Sequence, residues 1–150
     1  MSMARMVDIG MKPDVRRRAV ATGLIRLKPA TIRAIRARHV EKGDPLPTAE
    51  VAALQAMKAA WQVLPHTHPI PITAASVTFN MQSDRIAVTT AVEATYKTGV
   101  EMEALYGVTV ALLTIWDMVK ALEKDGQGQY PSARIEAVRV VSKEKQAGLR

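Results

Sequence analysis

The sequence contains no cysteine, and aromatic residues make up only 4% of it. Without cysteine the chain can form no disulfide and offers no thiolate as a metal ligand or nucleophile. The longest apolar run covers residues 104–116, which is shorter than the ~20 residues of a membrane-spanning helix. The first residues also lack the apolar segment and cleavage site of a signal peptide. A cytoplasmic protein with no membrane contact is therefore expected.

The 150 residues are a usual length for one domain, and their formal net charge is +7. A positive field attracts nucleic acid, membrane surfaces or phosphorylated metabolites, although basic residues can also serve solubility alone. No glycine-rich phosphate loop is present, so any bound phosphate must contact side-chain cations. A small nucleic-acid-binding module is one possibility, but such modules expose stacking aromatics. Trp61 and Trp116 instead fall in apolar helical patterns, which counts against it.

The alternation of apolar and polar residues predicts a mixed sequence of strands and helices. Strands are predicted over 22–28, 72–81, 85–96 and 133–143, and helices over 29–40, 48–64 and 98–124, with Thr48 as the N-cap of the second helix. This order predicts an α+β, ferredoxin-like fold, in which helices pack on one face of an antiparallel sheet. The first strand is predicted at a sheet edge after an irregular segment, residues 1–18. Residues 1–5 and 144–150 are predicted to be mobile ends of a single domain, 1–150.

The predicted long helix begins with two glutamates that need separate explanations. Thr98 and Glu101 have the spacing of a capping box, which would account for Glu101. Glu103 is not needed by the box and lies about 200° around a regular helix from Glu101, so it is expected to point away. Gly107 costs ~1 kcal/mol against alanine in a helix, which predicts close packing there. The helix is apolar on nearly all sides, which favours burial by a second subunit.

Asp117 and Lys120 follow the apolar stretch and lie at positions i and i+3 on one helix face. They form either a simple surface ion pair or an acid–base couple at the edge of a dry region. In the second case burial would lower the pKa of the lysine, while the carboxylate would hold it charged or orient it.

The segment "LPHTHPIPI" places His66 and His68 on the same side of an extended chain. The pair fits a structural turn, a substrate pocket or two ligands of a metal. A catalytic zinc usually needs a third protein ligand, and the only other histidine is His39. Lys42 lies in a loop punctuated by glycine and proline, where a ligand contact is possible but the local sequence favours a simple exposed lysine.

Five segments together resemble one family: "MVDIGMKPDVRRRAVATG", "KGD", "LPHTHPIPI", "TGVEMEAL" and "LTIWDMVKAL". Over about residues 6–143 the chain resembles cyclic pyranopterin monophosphate synthase, the molybdenum cofactor biosynthesis protein C (MoaC) family. The resemblance implies a ferredoxin-like α+β fold and a hexamer built as a trimer of dimers, with a pocket at the dimer interface. It also implies a lyase that converts (8S)-3',8-cyclo-7,8-dihydroguanosine 5'-triphosphate to cyclic pyranopterin monophosphate and diphosphate.

The resemblance also assigns roles to residues of this chain. It implies no resident metal and no required cofactor, with Mg²⁺ at most accompanying the triphosphate. The implied catalytic residues are Asp117, Lys120 and Lys42, and the implied substrate-binding residues are His66, Thr67, His68, Met102, Glu103, Glu101, Lys58, Arg17 and Lys143. The chain departs from the family at 66–68, where Leu-Cys-His is common, and in a C-terminal segment with few glycines.

Overall fold

The computed structural model describes residues 3–146, which form one four-stranded sheet and three helices. The elements in chain order are β1 (Val15–Arg26), α1 (Pro29–Arg36), α2 (Pro45–Val63), β2 (Ile72–Met81), β3 (Arg85–Tyr96), α3 (Glu101–Glu123) and β4 (Arg134–Gln146). The predicted α+β architecture with an antiparallel sheet is confirmed, as is the order of its elements.

The strand order across the sheet is β2-β3-β1-β4, and every neighbouring pair is antiparallel. β1 is therefore a central strand, and it begins at Val15, so the prediction of a short edge strand over 22–28 was wrong. Its pairing with β3 runs from Val15 opposite Tyr96 to Arg26 opposite Arg85. Three consecutive arginines at the start of β1 hide the apolar alternation that would have identified the strand.

The core lies between one face of the sheet and the helices α2 and α3. Every second residue of β3 faces this core, and Ile86, Val88 and Val92 are fully buried there. Gly107 of α3 lies against Met57 of α2, since a Cβ atom at position 107 would be 2.6 Å from Met57 Cε. The predicted close packing at Gly107 is thus confirmed, and its neighbour is a side chain.

The start of α2 and the end of α1 differ from their predicted positions. Asp44 is the N-cap of α2, because its side chain accepts a hydrogen bond from the Leu46 N–H at 3.2 Å. The predicted cap, Thr48, lies inside the helix and donates its hydroxyl to the Asp44 carbonyl. α1 ends at Arg36, before the predicted residue 40, and Arg38 just beyond it has a left-handed backbone (φ 58°).

The predicted capping box at the start of α3 is not formed. Val100 occupies the N-cap position, and no side chain caps the helix there. The Glu101 carboxylate instead lies 3.1 Å from the amine of Lys143 on β4. A long-range ion pair therefore takes the place of the predicted local hydrogen bonds to the backbone.

The two predicted mobile ends fall partly inside the described residues. Residues 144–146 belong to β4, and Gln146 is paired with Arg16 of β1, so this part of the predicted tail is in the sheet. Residues 1–2 and 147–150 lie outside the described residues.

By length and composition alone, α3 would pass for a membrane-spanning helix. In the fold it is a core helix, and its sheet-facing residues Val108, Leu112 and Ile115 are fully buried. The prediction that α3 is buried on all sides is not met within one chain. Leu113 is 54% exposed and Leu122 is 41% exposed, so apolar side chains on two sides of α3 remain open to solvent.

Candidate active site

The amines of Lys42 and Lys120 meet at the carboxylate of Asp117, and we call these three residues the lysine cluster. The Nζ atom of Lys42 lies 3.2 Å from Asp117 Oδ2 and 3.2 Å from the Asp117 carbonyl oxygen. The Nζ atom of Lys120 lies 3.0 Å from Asp117 Oδ1. Each carboxylate oxygen therefore accepts from one ammonium group, although only the pair on α3 was evident from sequence spacing.

A loop between α1 and α2 carries Lys42 to α3. The N–H of Gly43 donates to the carbonyl of Val40 at 3.0 Å, and Gly43 has φ 105°, a backbone conformation that residues with a Cβ rarely adopt. Asp117 and Lys120 lie on successive turns at the C-terminal end of α3. The cluster thus depends on one loop and one rigid helix.

The charges of the lysine cluster stabilise one another. Hydrogen bonds from Lys120 and Lys42 hold the pKa of Asp117 below its usual value, and the bond to Asp117 raises the pKa of Lys120. The three side chains are about half exposed, so burial has little effect on them. The acid–base alternative included a Lys120 pKa lowered by burial, and in the single chain the pKa is raised instead. The expectation that the carboxylate holds the lysine charged is met.

A cavity of about 280 Å³ lies at the other end of α3, and we call it the histidine pocket. It is bordered by an N-terminal segment, by the segment after α2 and by the first turn of α3. Its lining residues are Val7, Ile9, Lys12, His66, Thr67, His68, Ile70, Thr98, Gly99, Glu101, Met102 and Glu103. Lys12 is the lining cation that sequence reasoning missed, although it lies within the first segment of the family resemblance.

The histidine segment forms both a turn and a wall of this pocket. The N–H and the hydroxyl of Thr67 both donate to the carbonyl of Leu64, which closes a turn after α2. The Nε2 atom of His68 lies 2.9 Å from the carbonyl oxygen of Val7, which joins the segment to the N-terminal residues. Among residues 3–146, no group of three or more His, Asp or Glu side chains is arranged to hold a metal ion.

Glu103 is the buried acid of the histidine pocket, with only 4% of its surface exposed. Burial raises its pKa to about 7, and the nearby charge of Glu101 adds to the shift. Near neutral pH this carboxyl group is therefore close to half ionised and can give or take a proton. Glu101 and Glu103 line the same pocket, so the expectation that they point apart was wrong. The reason is that the Glu101 carboxylate folds back over Gly99, where there is no Cβ to obstruct it.

A smaller cationic pocket of about 80 Å³ adjoins the histidine pocket, and Glu101 and Gly99 line both. Its basic lining residues are Arg17, Arg18, Lys143 and Lys145. The Nε atom of Arg17 is buried and has no hydrogen-bond partner among the described residues. Lys58 is exposed on α2 and lines neither pocket, so the single chain does not bring it to the other predicted site residues.

The predicted site residues therefore form two groups at opposite ends of α3. Glu101 and Asp117 are 16 positions apart, which corresponds to about 24 Å along a helix. The lysine cluster lies at the C-terminal end, and the histidine and cationic pockets lie at the N-terminal end. Within one chain these two half-sites cannot contact the same small molecule.

Comparison with known proteins matches the sequence model of the MoaC family to residues 6–146. A curated protein of Pyrococcus furiosus, "Probable cyclic pyranopterin monophosphate synthase", is 55% identical over 95% of this chain and 91% of its own length. A Pyrococcus abyssi protein of the same name is 57% identical over 94% of this chain and 89% of its own. A Methanothermobacter thermautotrophicus protein, "Probable cyclic pyranopterin monophosphate synthase accessory protein", is 53% identical over 94% of this chain and 89% of its own. The chain belongs to the MoaC family.

Proposed function

We propose that this protein is a cyclic pyranopterin monophosphate synthase of molybdenum cofactor biosynthesis. The observation that carries the proposal is the lysine cluster, in which two ammonium groups share one carboxylate, in a chain that matches the family over residues 6–146. The substrate that the resemblance implies is the cyclised nucleotide (8S)-3',8-cyclo-7,8-dihydroguanosine 5'-triphosphate. Its conversion opens a purine ring, closes a new ring and forms a cyclic phosphate while diphosphate leaves.

The proposed site is shared between two copies of the chain. One copy supplies Lys42, Asp117 and Lys120, and the other supplies the histidine pocket, since about 24 Å of helix separates the two groups within one copy. The exposed apolar side chains Leu113 and Leu122 lie on opposite sides of α3, and self-association would cover such side chains on a helix that is apolar on nearly all sides. We propose a homo-oligomer, a hexamer built as a trimer of dimers, with the site at the dimer interface.

In this shared site some charged groups transfer protons and others stabilise the phosphate groups. Lys42 and Lys120 move protons on and off ring nitrogen and oxygen atoms, with Asp117 fixing both amines. Glu103 is ionised in part near neutral pH, which suits it to exchange a proton with the rearranging ring. Arg17 and Lys143 border the cationic pocket, where they can stabilise the negative charge that builds up as diphosphate leaves.

The proposed reaction requires no resident metal, and Mg²⁺ enters only as the companion of the triphosphate. His66 and His68 then act on the substrate as part of the pocket wall, together with Thr67 and Met102. Nucleic-acid binding has less support, because Trp116 packs edge-to-face against Tyr130 with ring centres 5.2 Å apart and does not form an open stacking surface. Trp61 is 44% exposed, contrary to the expectation from its helical pattern, but one exposed aromatic side chain does not provide a series of stacking surfaces. A cytoplasmic location without membrane contact stays a prediction.

Incubation of the purified protein with the cyclised nucleotide tests the proposal. We expect diphosphate and the pterin product in equal amounts, measured by an enzymatic diphosphate assay and by mass spectrometry. Lys120→Ala is expected to abolish turnover while the oligomer persists. Lys124→Ala, which changes an exposed lysine at the same end of α3, is the matched control and is expected to retain activity. An inactive wild-type protein would contradict the proposal, as would full activity in Lys120→Ala.

A further inference from the structure

The last residue of α3 is a glutamate whose side chain is fully buried. The exposed fraction of Glu123 is 0%, and its carboxylate accepts hydrogen bonds from the N–H of Lys28, at 3.0 Å to Oε2 and 3.3 Å to Oε1. The hydroxyl of Thr31, itself 1% exposed, also donates to it. These partners in the described part of the chain are neutral donors and not cations. Burying a carboxylate is costly, so its presence where an apolar side chain could pack needs an explanation.

Glu123 supplies the hydrogen-bond acceptor that the N-terminus of α1 lacks. The N-cap residue of α1 is Lys28, which has no side-chain oxygen to accept from the free N–H groups of the first turn. Pro29 follows it, and no acidic residue lies in that turn. The glutamate of a capping box normally accepts the N–H of the N-cap residue, and Glu123 accepts this same N–H from a different helix.

The negative charge of this carboxylate destabilises one helix and stabilises the other. A negative charge is unfavourable at the C-terminal end of α3 and favourable at the N-terminal end of α1, because of the direction of each helix dipole. The arrangement therefore stabilises the junction of the two helices and does not stabilise α3 alone. The described contacts between α1 and α3 are few, so this junction is a main connection between them.

The two segments that Glu123 joins are the same two that carry the lysine cluster. Asp117 and Lys120 lie on the two turns of α3 that precede Glu123. α1 leads directly into the loop that holds Lys42, whose amine bonds the carbonyl and the carboxylate of Asp117. The segments are thus held together at one point by Glu123 and at another by Lys42.

We propose that Glu123 is a positioning residue for the lysine cluster. Its carboxylate holds the end of α3 against the start of α1, so that the loop after α1 places Lys42 on Asp117 beside Lys120. Its catalytic consequence rests on the proposed function, but the geometry can be measured without any substrate.

Two substitutions of Glu123 separate positioning from general stability. Glu123→Leu places an apolar side chain of similar size in the core but leaves the Lys28 N–H and the Thr31 hydroxyl without their acceptor. Glu123→Gln retains an oxygen for the Lys28 N–H, and its amide can donate to the Thr31 hydroxyl, so it is the expected rescue. Val88→Ala, which creates a cavity at a fully buried position of β3, is the control for lost stability.

The first measurement is the pKa of Asp117, followed by carbon NMR of protein labelled at its aspartate carboxyl groups. In wild-type protein both lysines hold this pKa below its usual value. We expect Glu123→Leu to shift it upward, because Lys42 loses its fixed position, and we expect Glu123→Gln and Val88→Ala to keep the wild-type value. A folded Glu123→Leu protein with the wild-type pKa at Asp117 would overturn the proposal.

The second measurement is turnover of the cyclised nucleotide. A misplaced catalytic group commonly costs up to about 100-fold in rate, so we expect kcat of Glu123→Leu to fall roughly 10- to 100-fold. KM should change by less than about threefold, since the pockets that bind the substrate come from the other copy and Glu123 contacts none of the described residues that line them. Glu123→Gln should stay within about threefold of the wild-type kcat. Equal loss of kcat in Glu123→Leu and in Val88→Ala of matched stability would overturn the positioning role.

The two proposals fail in different ways. If the wild-type protein does not convert the nucleotide, the proposed function is lost while the Asp117 measurement still decides the positioning role. If Glu123→Leu does not fold, Thr31→Val decides it, because that change keeps the side-chain volume and removes one of the three hydrogen bonds. A higher Asp117 pKa in folded Thr31→Val would support positioning, and the wild-type value would overturn it.

Discussion

The amine of Lys42 lies 3.2 Å from the carboxylate of Asp117, a residue 75 positions further along the chain. Lys120 bonds the other oxygen of the same carboxylate at 3.0 Å. Asp117 thus keeps two ammonium groups together that would otherwise repel each other. A single substitution at Asp117 should therefore affect both lysines at once.

We predict that Asp117→Asn lowers kcat by roughly 100-fold or more while the fold is retained, because the amide keeps the shape of the side chain and loses its charge. The bond to Asp117 raises the pKa of Lys120, so its removal should also lower that pKa. The alkaline limb of the kcat/KM profile should then move to lower pH. Steady-state kinetics across pH measure both effects.

Glu50→Gln is the matched control for this substitution, since it removes one negative charge from an exposed position of α2. It should leave both kcat and the alkaline limb unchanged. An Asp117→Asn enzyme with normal kcat and an unmoved alkaline limb would show that the lysine cluster has no part in catalysis.

Glu103 should make the stability of the protein depend on pH. Its pKa is about 7 in the folded chain and near 4.5 in an unfolded one, so between these values the folded state binds more protons than the unfolded state. The free energy of unfolding should therefore fall as the pH rises from about 4.5 to 7, and the penalty should be complete above pH 7. Chemical unfolding at a fixed protein concentration across this range measures it.

Glu103→Gln should remove this component of the pH dependence and should be relatively more stable than wild type above pH 7. Glu101→Gln serves as the comparison: it should keep the pH dependence and move it slightly to lower pH, because the charge of Glu101 adds to the raised pKa of Glu103. If Glu103→Gln and wild type have parallel stability profiles from pH 4.5 to 8, Glu103 titrates as an ordinary surface acid.

Some parts of this fold are readable from local sequence, and others depend on distant residues. The alternation in β3 and the helical period of α2 and α3 act over a few residues, so they predict these elements directly. The start of β1 was missed because Arg16, Arg17 and Arg18 interrupt the alternation. Their surroundings are supplied by β3 and by β4 from the other end of the chain.

The site divides in the same way. The spacing of Asp117 and Lys120 predicts their ion pair, because i and i+3 are neighbours on any helix. The position of Lys42 beside Asp117 depends on the conformation of the loop between α1 and α2, which no local sequence pattern predicts. The capping box failed for a similar reason, since Glu101 is paired with Lys143, 42 positions later in sequence. Asp44 followed by Pro45 is a recognised helix start and would have corrected the N-cap of α2.

Because Gly107 contacts Met57, we predict that the effect of Gly107→Ala on the free energy of unfolding changes sign when Met57 is replaced by alanine. A methyl group at position 107 would lie 2.6 Å from Met57 Cε and 3.0 Å from Met57 Cγ. Gly107→Ala should therefore lower the free energy of unfolding by about 1 kcal/mol, because overpacking outweighs the gain in helix propensity. In a Met57→Ala background, the same substitution should raise it by about 1 kcal/mol. Denaturant unfolding of the four proteins gives this coupling, and additive effects would show that the two residues do not compete for space.

The proposed sharing of one site by two chains predicts that two inactive variants restore each other. Lys120→Ala removes the amine from one half-site, and Glu103→Gln removes the acid from the other, so each protein alone should be inactive. In a symmetric dimer that contains one copy of each, one shared site carries both changes and the other carries neither.

Random pairing of equal amounts of the two variants should therefore restore about 25% of wild-type activity. Turnover of the unseparated co-expressed mixture tests this value, and two different affinity tags show that hybrid oligomers have formed. Lys120→Ala co-expressed with Lys42→Ala is the control, because both changes lie in the same half-site, so every shared site keeps at least one of them. Hybrid oligomers of Lys120→Ala and Glu103→Gln without activity would mean that each chain holds a complete site of its own, which the separation of about 24 Å along α3 contradicts.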